Sequence, residues 1–170
     1  MKELIVILSA ATMLVGVLFA DASLTVDPVS DSDFKVISSD GTSLWLLDDI
    51  DSALAKFHLT SEGIWEHPSN PRLNAFEYSN NDIGLVIYRV WETISVITLK
   101  SNAFHLNRGV RVGDSAETIY EKFPEGEILL IRGGLLLIYS SDSEGYYRPS
   151  ITFEIRDGII AKITLRSPYD

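Results

Sequence analysis

Residues Leu44 to Ser101 recur from Val110 to Ser167 at a fixed offset of 66, and this internal repeat constrains the fold more than any other feature of the chain. Asp48, Lys56 and Phe57 return as Asp114, Lys122 and Phe123. Ile94, Ile97, Thr98, Leu99 and Ser101 return as Ile160, Ile163, Thr164, Leu165 and Ser167, with Lys100 replaced by Arg166. Chance matching at ordinary composition is roughly one position in sixteen, so a cluster this dense reads as a duplication. The expected organisation is a first repeat over 42–101 and a second over 102–170, packed as one unit because a unit of about sixty residues buries too little surface to be secure alone.

Each copy opens on a helical pattern. Ile50, Ala53, Leu54 and Phe57 lie on one stripe at i, i+3, i+4 and i+7, as do Ala116, Ile119, Tyr120 and Phe123. Asp114 with Glu117, and Asp48 with Asp51, have capping-box spacing, and Pro124 ends the second stripe. The pattern then changes to alternation. In the second copy two hairpins are expected, one turning at Gly133-Gly134 and one at Asp157-Gly158. In the first copy strands are expected at Phe76 to Ser79, Ile83 to Val90 and Ile94 to Lys100, after a loop holding Pro68 and Pro71. The fold class so read is α+β: two tandem repeats, each a short helix followed by an antiparallel meander.

A period of two also assigns the strand faces. If Leu85, Ile87, Ile97 and Leu99 point at the helices with Ile151, Phe153, Ile163 and Leu165, the opposite face carries Val86, Tyr88, Val90, Ile94, Val96 and Thr98 in the first copy. In the second it carries Thr152, Glu154, Arg156, Ile160, Lys162 and Thr164. The first is apolar and the second charged, so the copies diverge on that face. Val86, Tyr88, Val90, Ile94 and Val96, with the second-copy aromatics Tyr146 and Tyr147, form the candidate partner-binding face. The alternative for the aromatics is ordinary core filling.

The N-terminus has a different character. Leu4 to Ala20 is apolar but for Ser9 and Thr12, and Ala20-Asp21-Ala22 has the small residues of a cleavage site, so residues 1–22 read as a secretory signal peptide cut after Ala22. The alternative for that run is an N-terminal membrane anchor. Cleavage places the protein outside the cell or in the periplasm, with no stable membrane insertion afterwards. It takes the chain from 14 basic and 24 acidic side chains to 13 and 22, a net charge of −9. An acidic exported protein repels nucleic acid and anionic lipid, so neither is an expected partner. The absence of cysteine excludes disulfides and a lipidated N-terminal cysteine, leaving stability to a core drawn from the 46% hydrophobic residues. Residues 23–41, rich in Asp and Ser, read as a lead-in pairing loosely with the body.

No residue set specifies a reaction, a cofactor or a metal. Gly113-Asp114-Ser115 has the composition of a GDS-type esterase motif, but no histidine follows His105 to serve Ser115. His58, His67 and His105 are scattered without ligand spacing. Asp31 and Asp33 lack the glycine and terminal glutamate of a calcium loop, and Asp48, Asp49 and Asp51 are explained by a helix N-terminus. Gly133 and Gly134 lie between strands rather than before a helix, which disfavours a phosphate cradle.

Arg108 to Glu127, RGVRVGDSAETIYEKFPEGE, resembles the G-I-x-x-G-D-S-x-x-x-V-x-x-x-F/Y-G opening of the BamE/SmpA and β-lactamase-inhibitor-protein group. The resemblance implies a short strand and helix before an antiparallel sheet. The tandem arrangement is the more similar to the inhibitor protein, in which two α+β units form one curved sheet. The inhibitor's disulfides and the lipoproteins' anchoring cysteine have no counterpart here, and each copy has one helix where the inhibitor has two, so no particular target carries over. Three functions are open at this level: an exported non-enzymatic binding or inhibitor-like module with an unknown protein partner in the envelope or outside the cell, an envelope-assembly accessory protein, and a hydrolase using Ser115 or an acidic pair.

Overall fold

The computed structural model describes residues 27, 29–89, 92–124, 128–138 and 149–167, the side chains of 136–138 excepted. The expected signal peptide, with Val90, Tyr146 and Tyr147, lies outside them.

The chain runs β1 (Lys35–Ser38), β2 (Ser43–Trp45), α1 (Ile50–Phe57), β3 (Thr60–Trp65), β4 (Ala75–Ser79), β5 (Ile83–Tyr88), β6 (Ile94–Leu99) and β7 (Phe104–Leu106). It continues through α2 (Glu117–Lys122), β8 (Ile128–Ile131), β9 (Gly134–Ile138), β10 (Ser150–Arg156) and β11 (Ile159–Arg166). Eight strands form one sheet in the order β3-β4-β5-β6-β11-β10-β9-β8, and β2-β1-β7 form a second, with every pairing antiparallel.

This overturns the expected α+β class with two helix-plus-meander repeats. The molecule is mostly antiparallel β, and its helices are short, α1 having eight residues and α2 six. The physical reason lies in β6. Five of its six residues are buried, so as the free edge of a separate meander it would expose apolar surface and unpaired backbone together. It pairs with β11 instead, Thr98 opposite Thr164, Ile97 opposite Leu165 and Leu99 opposite Ile163. The two strands carrying the densest part of the sequence repeat are therefore zipped to each other at the centre of one sheet.

Backbone contacts recur at the offset of 66. Leu47 N–H donates to the Ile94 carbonyl and Gly113 N–H to that of Ile160, each at 2.8 Å. The Asp48 carboxylate accepts from Trp45 N–H at 2.8 Å and that of Asp114 from Arg111 N–H at 2.9 Å. These two aspartates were expected as helix caps; they close the turn before the helix instead. In α1 the cap is Asp49, accepting from Ser52 N–H at 3.1 Å, and in α2 the first turn takes a 3.3 Å bond from Glu117 N–H to Ser115 Oγ. Gly113, at φ +97°, occupies a left-handed position whose counterpart Leu47 adopts φ +69°.

Two β-bulges decide which side chains face the core. Between β5 and β6 the register passes from Val86 opposite Val96 to Ile87 opposite Ile94, which leaves Ser95 as the extra residue. Between β10 and β11 it passes from Glu154 opposite Lys162 to Ile155 opposite Ile160, which leaves Ala161 extra, 66 residues on. Strict alternation had put Ile94 and Ile160 on the outer face. The bulges turn both inward, where each is fully buried. They join Leu85, Ile87, Ile97, Leu99, Ile151, Phe153, Ile163 and Leu165 in one core roofed by α1 and α2. Phe123 at the end of α2 lies 6.0 Å from Phe153 and is fully buried, worth about 1.5–3 kcal/mol in removed apolar surface.

The described part of the lead-in, residues 29–41, is integral rather than loose. Val36 is the middle of a three-strand stack with Leu44 and Leu106, all buried, and Asp33 forms a bidentate pair with Arg108. The Asp157-Gly158 hairpin turns where expected, with φ +52° and +77°. The other hairpin turns one residue early, at Arg132-Gly133, because Gly134 is needed inside β9, where any Cβ would collide with the Phe153 carbonyl.

Candidate functional site

The sheet has one face under the helices and one without them. On the second face three open depressions of about 730, 420 and 520 Å³ run from β3 to β10 and share residues, so they form one trough. Glu77, Val86 and Thr98 belong to the first two, and Lys162, Thr164 and Arg166 to the last two. The floor is pleated sheet. A surface of this shape accommodates an extended or convex protein segment better than an enclosed small molecule.

Its residues are set by register. Trp65, opposite Ala75, and Ala75, opposite Tyr88, bring an exposed tryptophan to the side of the half-buried Tyr88. Val86 and Val96 face each other across β5 and β6, and Val96, only 5% exposed, belongs to this floor rather than to the helix-side core. Val86, Tyr88 and Val96 are thus brought together as the alternation required. Ile94 is not, because the bulge at Ser95 places it on the opposite side.

The β10–β11 end is ionic. The Glu154 carboxylate accepts from Lys162 Nζ at 2.6 Å and from Arg156 Nη2 at 2.5 Å. The bond from Lys162, then that from Arg156, holds its pKa below the usual carboxylate value. Arg132 and Arg166 line the same depression. At the other end Glu62 accepts from Ser79 Oγ at 2.6 Å, and Lys100 Nζ donates to the Asn80 carbonyl at 3.2 Å. Trp65, Glu77 and the basic group at 132, 156, 162 and 166 were absent from the expected binding set. Period-two facing had already put Arg156 and Lys162 on this face; Trp65 was hidden because its neighbours are fixed only by the pairing of β3 with β4.

The remaining chemical candidates have local roles. Ser115 Oγ lies just before α2, accepting from the Glu117 N–H and beside the Glu117 carboxylate. His58 ends α1 in a left-handed conformation, His67 Nδ1 accepts from Ser69 and Asn70 N–H, and His105 Nδ1 bonds the Leu106 carbonyl. Among the described residues no cluster of three or more His, Cys, Asp or Glu is placed to hold a metal ion, and no helix is long and apolar enough to cross a membrane.

Fold and face together define a β-rich chain with one open sheet surface. No protein-family model matches the sequence, and no curated protein matches it. Among solved structures it is similar to a cysteine-rich secretory protein from Staphylococcus aureus, at 12% identity and a TM-score of 0.48 over 84% of this chain. The match spans about half of that protein, 50% of its length, and carries no argument about function.

Proposed function

We propose that this chain is an exported, non-enzymatic protein-binding or inhibitor-like module that docks a protein partner on the helix-distal face of its large sheet. One observation carries the reading: a half-buried tyrosine and an exposed tryptophan beside an aliphatic floor, flanked by charged ends on a single open surface. Protein interfaces favour an aromatic and aliphatic centre within a polar rim. Export rests on the apolar run Leu4 to Ala20 and the small-residue site after it, with an N-terminal anchor as the alternative location. A net charge of −10 argues against nucleic acid as the partner. Kinship with the BamE/SmpA and inhibitor-protein group rests on Arg108 to Glu127 alone.

The test is capture from the protein's own envelope fraction with three immobilised forms: wild type, Tyr88→Ala on the face, and Glu121→Ala on exposed α2 as control. A species retained by wild type and Glu121→Ala but lost by Tyr88→Ala, at an unchanged melting temperature, supports the reading. If Tyr88→Ala instead lowers stability by about 3–5 kcal/mol, Tyr88 is a core residue and the reading fails there.

A further inference from the structure

Across the trough the character passes from acidic through apolar to basic. Glu62 and Glu77, with Lys100 beside them, line the depression on the β3–β5 side; Val86, Tyr88 and Val96 form the middle, with Trp65 at the β3 edge. At the far end Arg132, Arg156, Lys162 and Arg166 meet one carboxylate, Glu154. In a chain with 24 acidic and 14 basic side chains, four cations against one carboxylate among the described residues lining this end reverse the overall balance. That carboxylate is engaged by Lys162 and Arg156, so among the described residues cations outnumber carboxylates there.

We infer that the partner of this face presents an acidic segment to β10 and β11 while an apolar or aromatic side chain lodges beside Tyr88. This rests on the docking proposed above and adds the partner's chemistry. β5 is two strands from β11, at about 4.8 Å per strand, and the register sets Ile163 level with Leu99 and Ile83, so Lys162 lies six residues along the strands from Tyr88 and the carboxylates sit roughly 20 Å from the anchor. An extended segment running diagonally over the strands covers that span in about six residues, at roughly 3.3 Å each. The recognised pattern is therefore one apolar residue with acidic residues beginning about six positions away. Glu62 and Glu77 outnumber Lys100 in the depression near β3, which disfavours seating the acidic segment there and gives it a direction.

The probe is a fluorescein-labelled dodecapeptide with one leucine, a Gly/Ser spacer and three consecutive glutamates starting at the sixth position after it. It is titrated into the full mature chain by fluorescence polarisation. Saturable binding that weakens severalfold between 50 and 500 mM salt is expected. Lys162→Gln weakens it by about fivefold, the size of one exposed charge pair. Glu154→Gln tightens it by about two- to fivefold, a gain that a folding defect does not produce. Failure of the peptide to bind at millimolar concentration, equal binding of a peptide with lysines for glutamates, or indifference to both substitutions overturns the inference. So does equally tight binding of oligothymidylate or phosphatidylglycerol vesicles, which makes the patch a general polyanion site. Partner capture that depends on Tyr88 but ignores Lys162→Gln removes the acidic-segment inference and leaves the docking face standing; capture that ignores both removes both.

Discussion

Arg108 ties together segments distant in sequence. Its Nε and Nη2 donate to the two Asp33 carboxylate oxygens at 2.6 and 2.8 Å. Its Nη1 reaches the carbonyls of Asp27 at 2.8 Å and Lys122 at 2.7 Å, and its guanidinium lies 5.0 Å from the Phe123 ring centre. Asp33 is 1% exposed, so removing its partner strands a buried charge. Arg108→Ala is expected to cost about 3–5 kcal/mol in denaturant melts, and the Arg108→Met, Asp33→Leu double substitution less than the first change alone. Asp40 is the opposite case, fully exposed but locally bonded. The hydroxyl of Ser38, then the Thr42 N–H at 2.9 Å, hold its pKa down to about 2. A folded-state pKa below the unfolded one stabilises above the unfolded value and ceases to do so as pH falls through the folded value. In acid titration the stability gap between the wild type and Asp40→Asn should therefore stay constant above about pH 4 and close between about pH 4 and pH 2, the window between an ordinary carboxylate and the lowered value of Asp40.

At the scale of elements, the two edges of the large sheet differ. Strand β3 is guarded by the irregularity between Ser61 and Gly63, with Glu62 and a glycine breaking the ladder. Strand β8 is Ile-Leu-Leu-Ile, with Leu130 86% exposed and no charge within it. Leu130→Lys should suppress association on heating, followed by light scattering, without lowering the melting temperature. Earlier onset of scattering in that variant would show that the edge is not where chains meet. Several elements were legible because their signals are local: the apolar stripe of α1, the Asp-Gly hairpin, and the alternation placing Val86 and Tyr88 opposite Leu85 and Ile87. The bulges were not. Ser95 and Ala161 look like ordinary strand residues, and only pairing with β5 and β10 reveals each as surplus. The charged end of the face was readable from period two, but its continuity with Trp65 and Tyr88 depends on β6 meeting β11, a contact between residues more than sixty positions apart.

At the scale of the whole molecule, that seam predicts that the halves do not stand alone. A fragment of residues 102–170 keeps β11 but loses β6, leaving Ile163 and Leu165 on a raw edge. Expressed separately, it should show a broad transition in urea, monitored by circular dichroism; a sharp melt matching full-length protein would make the halves autonomous. The strand order has another consequence, in time rather than space. Of the eight strands, β11 is the last to be synthesised and occupies the middle of the sheet. Until it leaves the ribosome, β6 has one neighbour instead of two, and the β3–β6 meander waits with its inner edge open. Topology thus delays the final locking step until all eight strands of the large sheet have been synthesised, so the longest-lived open edge during synthesis is the one that becomes the centre of the finished sheet.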